Sequence, residues 1–106
     1  MPVTSDLEDT FAFQLDAVGI SYERQAKVIP DRKFQWDFLV GKFLIEIQGG
    51  IWRKGGHSTG VGITRDCEKA NLAALHGFFT LFFTADMIYS GEALSVVEKA
   101  MKKEIV

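Results

Sequence analysis

Apolar and polar positions follow two rhythms along this chain, one repeating about every 3.6 residues and the other about every 2. Leu7, Phe11, Leu15 and Val18, with Ala12 beside them, recur at helical spacing. Ser5-Asp6-Leu7-Glu8 is a capping-box pattern, with Ser5 as N-cap and Glu8 at N3, and Gly19 is a natural stop. The spacing predicts a helix from about Asp6 to Val18. Ser21–Ile29 reads as a mixed strand closed by the turn-like Pro30-Asp31-Arg32. After the hairpin considered next, Thr64 is placed to cap a second helix over RDCEKANLAALHG, which Gly77 closes. Phe78–Thr84 is apolar on both alternations, as a strand buried on both faces is. A last helix is expected from about Gly91 to Lys103.

The period of two is clearest in Phe34–Gly50, FQWDFLVGKFLIEIQGG. Gly41-Lys42 suits a two-residue turn with Gly at the first central position, as type II′ prefers. Val40 then faces Phe43, Leu39 faces Leu44, Phe38 faces Ile45, and Asp37 faces Glu46. One face holds Trp36, Phe38, Val40, Phe43, Ile45 and Ile47 and belongs to the core. The other holds Gln35, Asp37, Leu39, Leu44, Glu46 and Gln48. The element order is therefore α-β-β-β-α-β-α. A strand, helix and strand in succession imply a crossover and a parallel pair within a mixed central sheet flanked by helices. The class is α/β, or α+β by the stricter label.

Composition adds limits rather than a function. The 106 residues form one expected domain, with 47% hydrophobic and 25% charged residues and a net charge of −2. That balance makes no case for global attraction to nucleic acid, so any basic surface is local. Cys67 is the sole cysteine, which excludes an intrachain disulfide and a Cys-rich zinc module. The start, MPVTSDLEDT, is acidic and lacks the apolar run of a secretory signal, and no apolar run approaches a membrane span. A cytoplasmic domain is expected.

The charges inside the hairpin change the picture. Asp37 and Glu46 fall opposite each other, with Cβ atoms roughly 5 Å apart. Like charges at that spacing repel. A divalent cation such as Mg²⁺ or Mn²⁺ relieves this, since it takes carboxylate oxygens. A shared proton with one raised pKa is the alternative, and a solvent-exposed face on which the acids are merely polar is a third.

The sequence D-x(8)-E-x-Q formed by Asp37, Glu46 and Gln48, within this element order, resembles the PD-(D/E)XK nuclease superfamily. The resemblance spans nearly the whole chain and is nearest to small phage-type Holliday-junction resolving enzymes and very-short-patch-repair-like endonucleases. It implies a restriction-endonuclease-like fold and Mg²⁺-dependent cleavage of DNA, with Mn²⁺ as a substitute. Asp37 and Glu46 would be metal ligands, joined by the backbone carbonyl of Ile47. Glu8 matches the first-helix glutamate that completes the acidic cluster in resolving-type members, although it also fits a plain capping box. Gln48 stands where the superfamily usually has Lys. Gln hydrogen-bonds a water but brings no positive charge. Some members carry Gln there and remain active, and Lys69 on the second helix could supply the cation as in relatives whose lysine has moved. Pairing of Lys69 with Asp66 or Glu68 is the structural alternative.

The segment GGIWRKGGHSTGVG is too rich in glycine for a regular element and reads as a loop. No acid lies between Glu46 and Asp66, while Arg53, Lys54 and Arg65 are basic and His57 can become so. Cations beside carboxylates suit a phosphodiester. Trp52 either stacks on a base or anchors the loop in the core. His57 is a candidate general acid or phosphate contact. The segment lacks the GK[ST] ending of a nucleotide-binding loop, and His57 and His76 have no partners at zinc spacing. The leading expectation is a structure-selective endodeoxyribonuclease, a junction resolvase acting as a homodimer because two symmetric cuts need two sites. A nicking or restriction-type endonuclease is the rival within that class. A DNA-binding module without chemistry is the rival outside it.

Overall fold

The computed structural model describes residues 3–48 and 60–105. The elements are α1 (Val3–Ala17), β1 (Glu23–Ala26), β2 (Trp36–Val40), β3 (Phe43–Gln48), α2 (Gly60–Leu75), β4 (Phe79–Thr84), α3 (Ala85–Ser90) and α4 (Glu92–Ile105). The strands form one mixed sheet in the order β1-β2-β3-β4, antiparallel except for the parallel pair β3–β4, which α2 connects. This is the α+β arrangement expected from the order of the elements.

The hairpin has the predicted register: Val40 pairs with Phe43, Leu39 with Leu44 and Phe38 with Ile45. Gly41 has φ of 59° while Lys42 does not enter positive φ, which is the II′ pattern rather than I′. The preceding turn is type II, with Arg32 N–H donating to the Ile29 carbonyl at 3.3 Å and Asp31 at φ of 65° after Pro30. Both long helices before their strands end in Schellman motifs. Gly19 N–H donates to Asp16 and Ile20 N–H to Leu15; Gly77 N–H donates to Ala74 and Phe78 N–H to Ala73.

Two apolar layers cover the sheet. On one side Leu7, Phe11 and Leu15 of α1, with Ile88, Ala93 and Val97 of the C-terminal helices, pack on Phe38, Val40, Ile45, Ile47 and Phe83. Phe11 meets Phe38 edge to face at 5.3 Å. On the other side Ala73 and Leu72 of α2 pack with Trp36, Leu44, Leu39, Ile29 and Phe78.

The structure corrects the sequence reading at several points. Ser5 lies inside α1 and Thr64 inside α2, so neither is an N-cap. Val18 follows the end of α1 and is exposed. β1 is shorter than Ser21–Ile29: it ends at Ala26, past Gln25 at φ of 52°, and Val28 and Ile29 pack in the α2 layer. Gly60, Val61 and Gly62 are helical, not loop. A short helix, α3, follows β4 directly; Thr84 caps it by accepting the Met87 N–H, and Gly91 closes it at φ of 89°. β4 is the edge strand beside β3, with Phe79 and Phe82 exposed, and Leu72 and Ala73 of α2 pack on Leu39, Leu44 and Trp36. Trp36 packs with the α2 layer rather than beside Phe38. Phe43 remains at the rim, stacked on Phe79 at 5.6 Å. Among the described residues no helix is long and apolar enough to cross a membrane.

Phe38 is fully buried and contacts the rings of Phe11 and Tyr22. Phe38→Ala is expected to cost about 3–5 kcal/mol of stability, seen in denaturant melts as a lower midpoint at unchanged slope.

Candidate functional site

The site is at the end of the β2–β3 hairpin away from its turn. The ladder pairs stop at Phe38–Ile45. One step further the register would set Asp37 against Glu46, and there the backbone pairing gives way to a side chain: Ile47 N–H donates to Asp37 Oδ2 at 2.7 Å. The other edge of β3 stays fixed, because Glu46, Ile47 and Gln48 pair with Phe82, Phe83 and Thr84 of β4. Asp37 is thus held on a rigid backbone group. The break also frees Trp36 from strict alternation, and its ring turns under α2.

α2 brings a lysine to the second acid. Lys69, Leu72 and Ala73 share one helical face; Leu72 and Ala73 pack on the sheet, and Lys69 Nζ makes an ion pair with Glu46 Oε2. The Lys69 ammonium also lies 4.8 Å from the centre of the Trp36 ring. Burial raises the Glu46 pKa above the usual carboxylate value; Lys69 pulls it back in part, and the charges of Asp37 and Asp66 add to the rise. Asp66, one turn before Lys69, joins this electrostatic neighbourhood although the sequence reading gave it no site role.

Glu8 approaches from α1 on the other side and is 8% exposed. Arg24 Nη2 lies 3.5 Å from Glu8 Oε1, and Gln25 Nε2 donates to the same oxygen at 3.1 Å. Neighbouring strand residues ordinarily point to opposite faces; the positive φ of Gln25 lets both reach Glu8. Arg24 also pairs with Asp9 at 3.0 Å. Burial, and after it the Asp37 charge, raise the Glu8 pKa, while Arg24 lowers it. The Glu8 side chain therefore bonds across to β1 instead of closing a capping box.

The structure brings together Glu8, Asp37, Glu46 and Lys69, with the Ile47 amide bound to Asp37. Gln48 is half-buried two residues beyond Glu46 on the same face. Arg65 is exposed on α2, one turn before Lys69. Trp52, Arg53, Lys54 and His57 lie outside the described residues. No group of three or more His, Cys, Asp or Glu among the described residues is arranged to hold a metal ion. Arg24 and Gln25 escaped the sequence reading because YERQ has neither period nor motif; only their contact with Glu8 reveals them.

The class defined by this architecture is a mixed four-stranded α+β fold with its charged cluster at one end of a hairpin. A solved structure with that fold is the Homing Endonuclease I-Bth0305I Catalytic Domain, similar over 92% of this chain and 90% of that one, at 19% identity and a TM-score of 0.61. No protein-family model matches the chain, and no curated protein matches it by sequence.

Two titrations follow. With the Glu8 pKa raised above 4.5, the native state holds its proton more readily than the unfolded chain. Stability then falls as pH rises from the ordinary value through the raised one, and stays reduced above it. Glu8→Gln is expected to raise the thermal midpoint at pH 7, with the advantage over wild type vanishing below pH 4.5. Lys69→Gln removes a group that lowers the Glu46 pKa, so the Glu46 side-chain carbon, followed by NMR, is expected to titrate at higher pH than in wild type.

Proposed function

We propose that the chain is the catalytic core of a metal-dependent endodeoxyribonuclease, a single domain spanning residues 1–106. The observation that carries this is the pair of acids at the open end of the ladder, Asp37 fixed by the Ile47 amide and Glu46 met by Lys69. The similarity in fold to a homing endonuclease catalytic domain supports it. The donor chemistry fits a hard divalent cation, Mg²⁺ with Mn²⁺ as a substitute, since Asp37 and Glu46 both offer carboxylate oxygen. With the Ile47 carbonyl they would hold it. A bound ion of this kind lowers the pKa of a water and stabilises charge on phosphate.

The remaining chemistry belongs to the side chains. Hydrolysis forms a bond from water oxygen to phosphorus and breaks an ester bond to a sugar oxygen, which takes up a proton. Gln48 can orient the water through its amide but cannot neutralise charge. Lys69 brings the missing cation to the same face, where it stabilises negative charge developing on the phosphate. Glu8 adds negative charge next to Asp37 and strengthens the pull on a cation. Arg53, Lys54, His57 and Arg65 are proposed to hold the DNA backbone, and Trp52 to stack on a base.

The finer reading is a structure-selective enzyme that resolves four-way junctions as a homodimer. The homing-endonuclease neighbour favours a second reading, a domain that cuts duplex DNA at a chosen site. Incubation with four-way, forked and linear duplex DNA in Mg²⁺ separates them. Cleavage is expected from wild type and is expected to fall about 100-fold or more in Glu46→Ala and Asp37→Asn, equivalent to losing roughly 3 kcal/mol of transition-state stabilisation. Equal cutting of all three DNAs removes the junction reading. Binding without cutting by wild type would point to the non-catalytic module and overturn the enzyme.

A further inference from the structure

Phe82 is an exposed aromatic on the same face as the proposed catalytic acids. The parallel register pairs it with Glu46, so both side chains leave the sheet on the α2 side, one strand spacing of ~4.8 Å apart. Its neighbour Phe83 is 3% exposed, whereas Phe82 is 55% exposed. Phe82 is on the edge strand of the sheet, and Leu72 and Ala73 of α2 pack on Leu44, Leu39 and Trp36 rather than on its ring. Phe79, the other exposed ring of the strand, is stacked on Phe43; among the described residues Phe82 has no such ring partner. β4, FTLFFT, carries no charge, so nothing on the strand itself repels a polyanion.

We propose that Phe82 is a substrate-contacting residue, its ring stacking on an unstacked base next to the phosphate that a cation on Asp37 and Glu46 would engage. A nucleotide is larger than one strand spacing, so a phosphate at that position brings a sugar or base beside this ring. Phe presents a π-face without hydrogen-bonding groups, so the contact accepts any base and favours DNA whose bases are already unstacked, at forks, branch points or single-stranded ends. This rests on the nuclease reading and specifies its substrate.

The test uses the full chain with a fluorescein-labelled forked DNA, in Ca²⁺ for binding and in Mg²⁺ for cleavage. Phe82→Ala is expected to weaken binding about 5- to 150-fold, with the loss falling on KM rather than kcat. Phe82→Trp is expected to restore affinity, while Phe82→Leu is not. The thermal midpoint should hardly move, since the ring is already more than half exposed. A 2-aminopurine beside the scissile phosphate should change fluorescence on binding to wild type and not on binding to Phe82→Ala. Wild-type cleavage together with unchanged affinity of Phe82→Ala overturns the assignment of Phe82 and leaves the nuclease intact. Unchanged affinity with a shift in sedimentation coefficient assigns the ring to a contact between copies instead, and also overturns it. Absence of both binding and cleavage in wild type defeats the nuclease reading itself, and this proposal with it.

Discussion

The bond from the Ile47 amide to the Asp37 carboxylate sets the geometry of the charged end of this molecule. A hairpin with continued backbone pairing would tie both strands together through this point. Taking up that amide with a side chain satisfies the buried donor and also opens the ladder. Three consequences meet there: Asp37 is immobilised on backbone, Trp36 turns to the α2 layer, and Glu46 is left on a strand whose far edge is still held by β4. The cluster is therefore built on rigid elements, as a binding constellation requires.

Acids gathered on an apolar sheet oppose folding. Burial raises both Glu8 and Glu46, and Asp37 raises each of them further. The fold sets one cation against each: Arg24 from β1 on Glu8, and Lys69 from α2 on Glu46. The compensation is incomplete, since both pKa values stay above the usual range. Burial first, and repulsion from Asp37 after it, hold both values up; a bound cation would favour the charged forms, and shifts of this kind are a recognised signature of functional sites.

The hairpin was readable because its period of two and its Gly-Lys turn point to one register, and the observed pairs from Phe38–Ile45 to Val40–Phe43 are the ones that follow. Trp36 was misplaced because alternation assumes an intact ladder, and the interruption at Ile47 is a tertiary event. Capping patterns are short and local, so those at Ser5 and Thr64 also fit the helix interiors in which both residues lie. FTLFFT reads as buried on both faces because both alternations are apolar, yet it is the edge strand and leaves Phe79 and Phe82 exposed. The pairing of Lys69 with Glu46 and of Arg24 and Gln25 with Glu8 joins residues distant in sequence, and no local pattern encodes it.

The similarity to a homing endonuclease catalytic domain concerns the fold; the chemistry proposed for this chain depends on its own acids. The central claim is that Asp37 and Glu46 together hold a divalent cation at the open end of the hairpin. Calorimetric titration of the full chain with Mn²⁺ at neutral pH tests it most directly, without requiring a DNA substrate. A saturable site that disappears in both Asp37→Asn and Glu46→Ala, each still folded by circular dichroism, is the predicted result. Absence of binding by wild type, or binding that survives both substitutions, would contradict it.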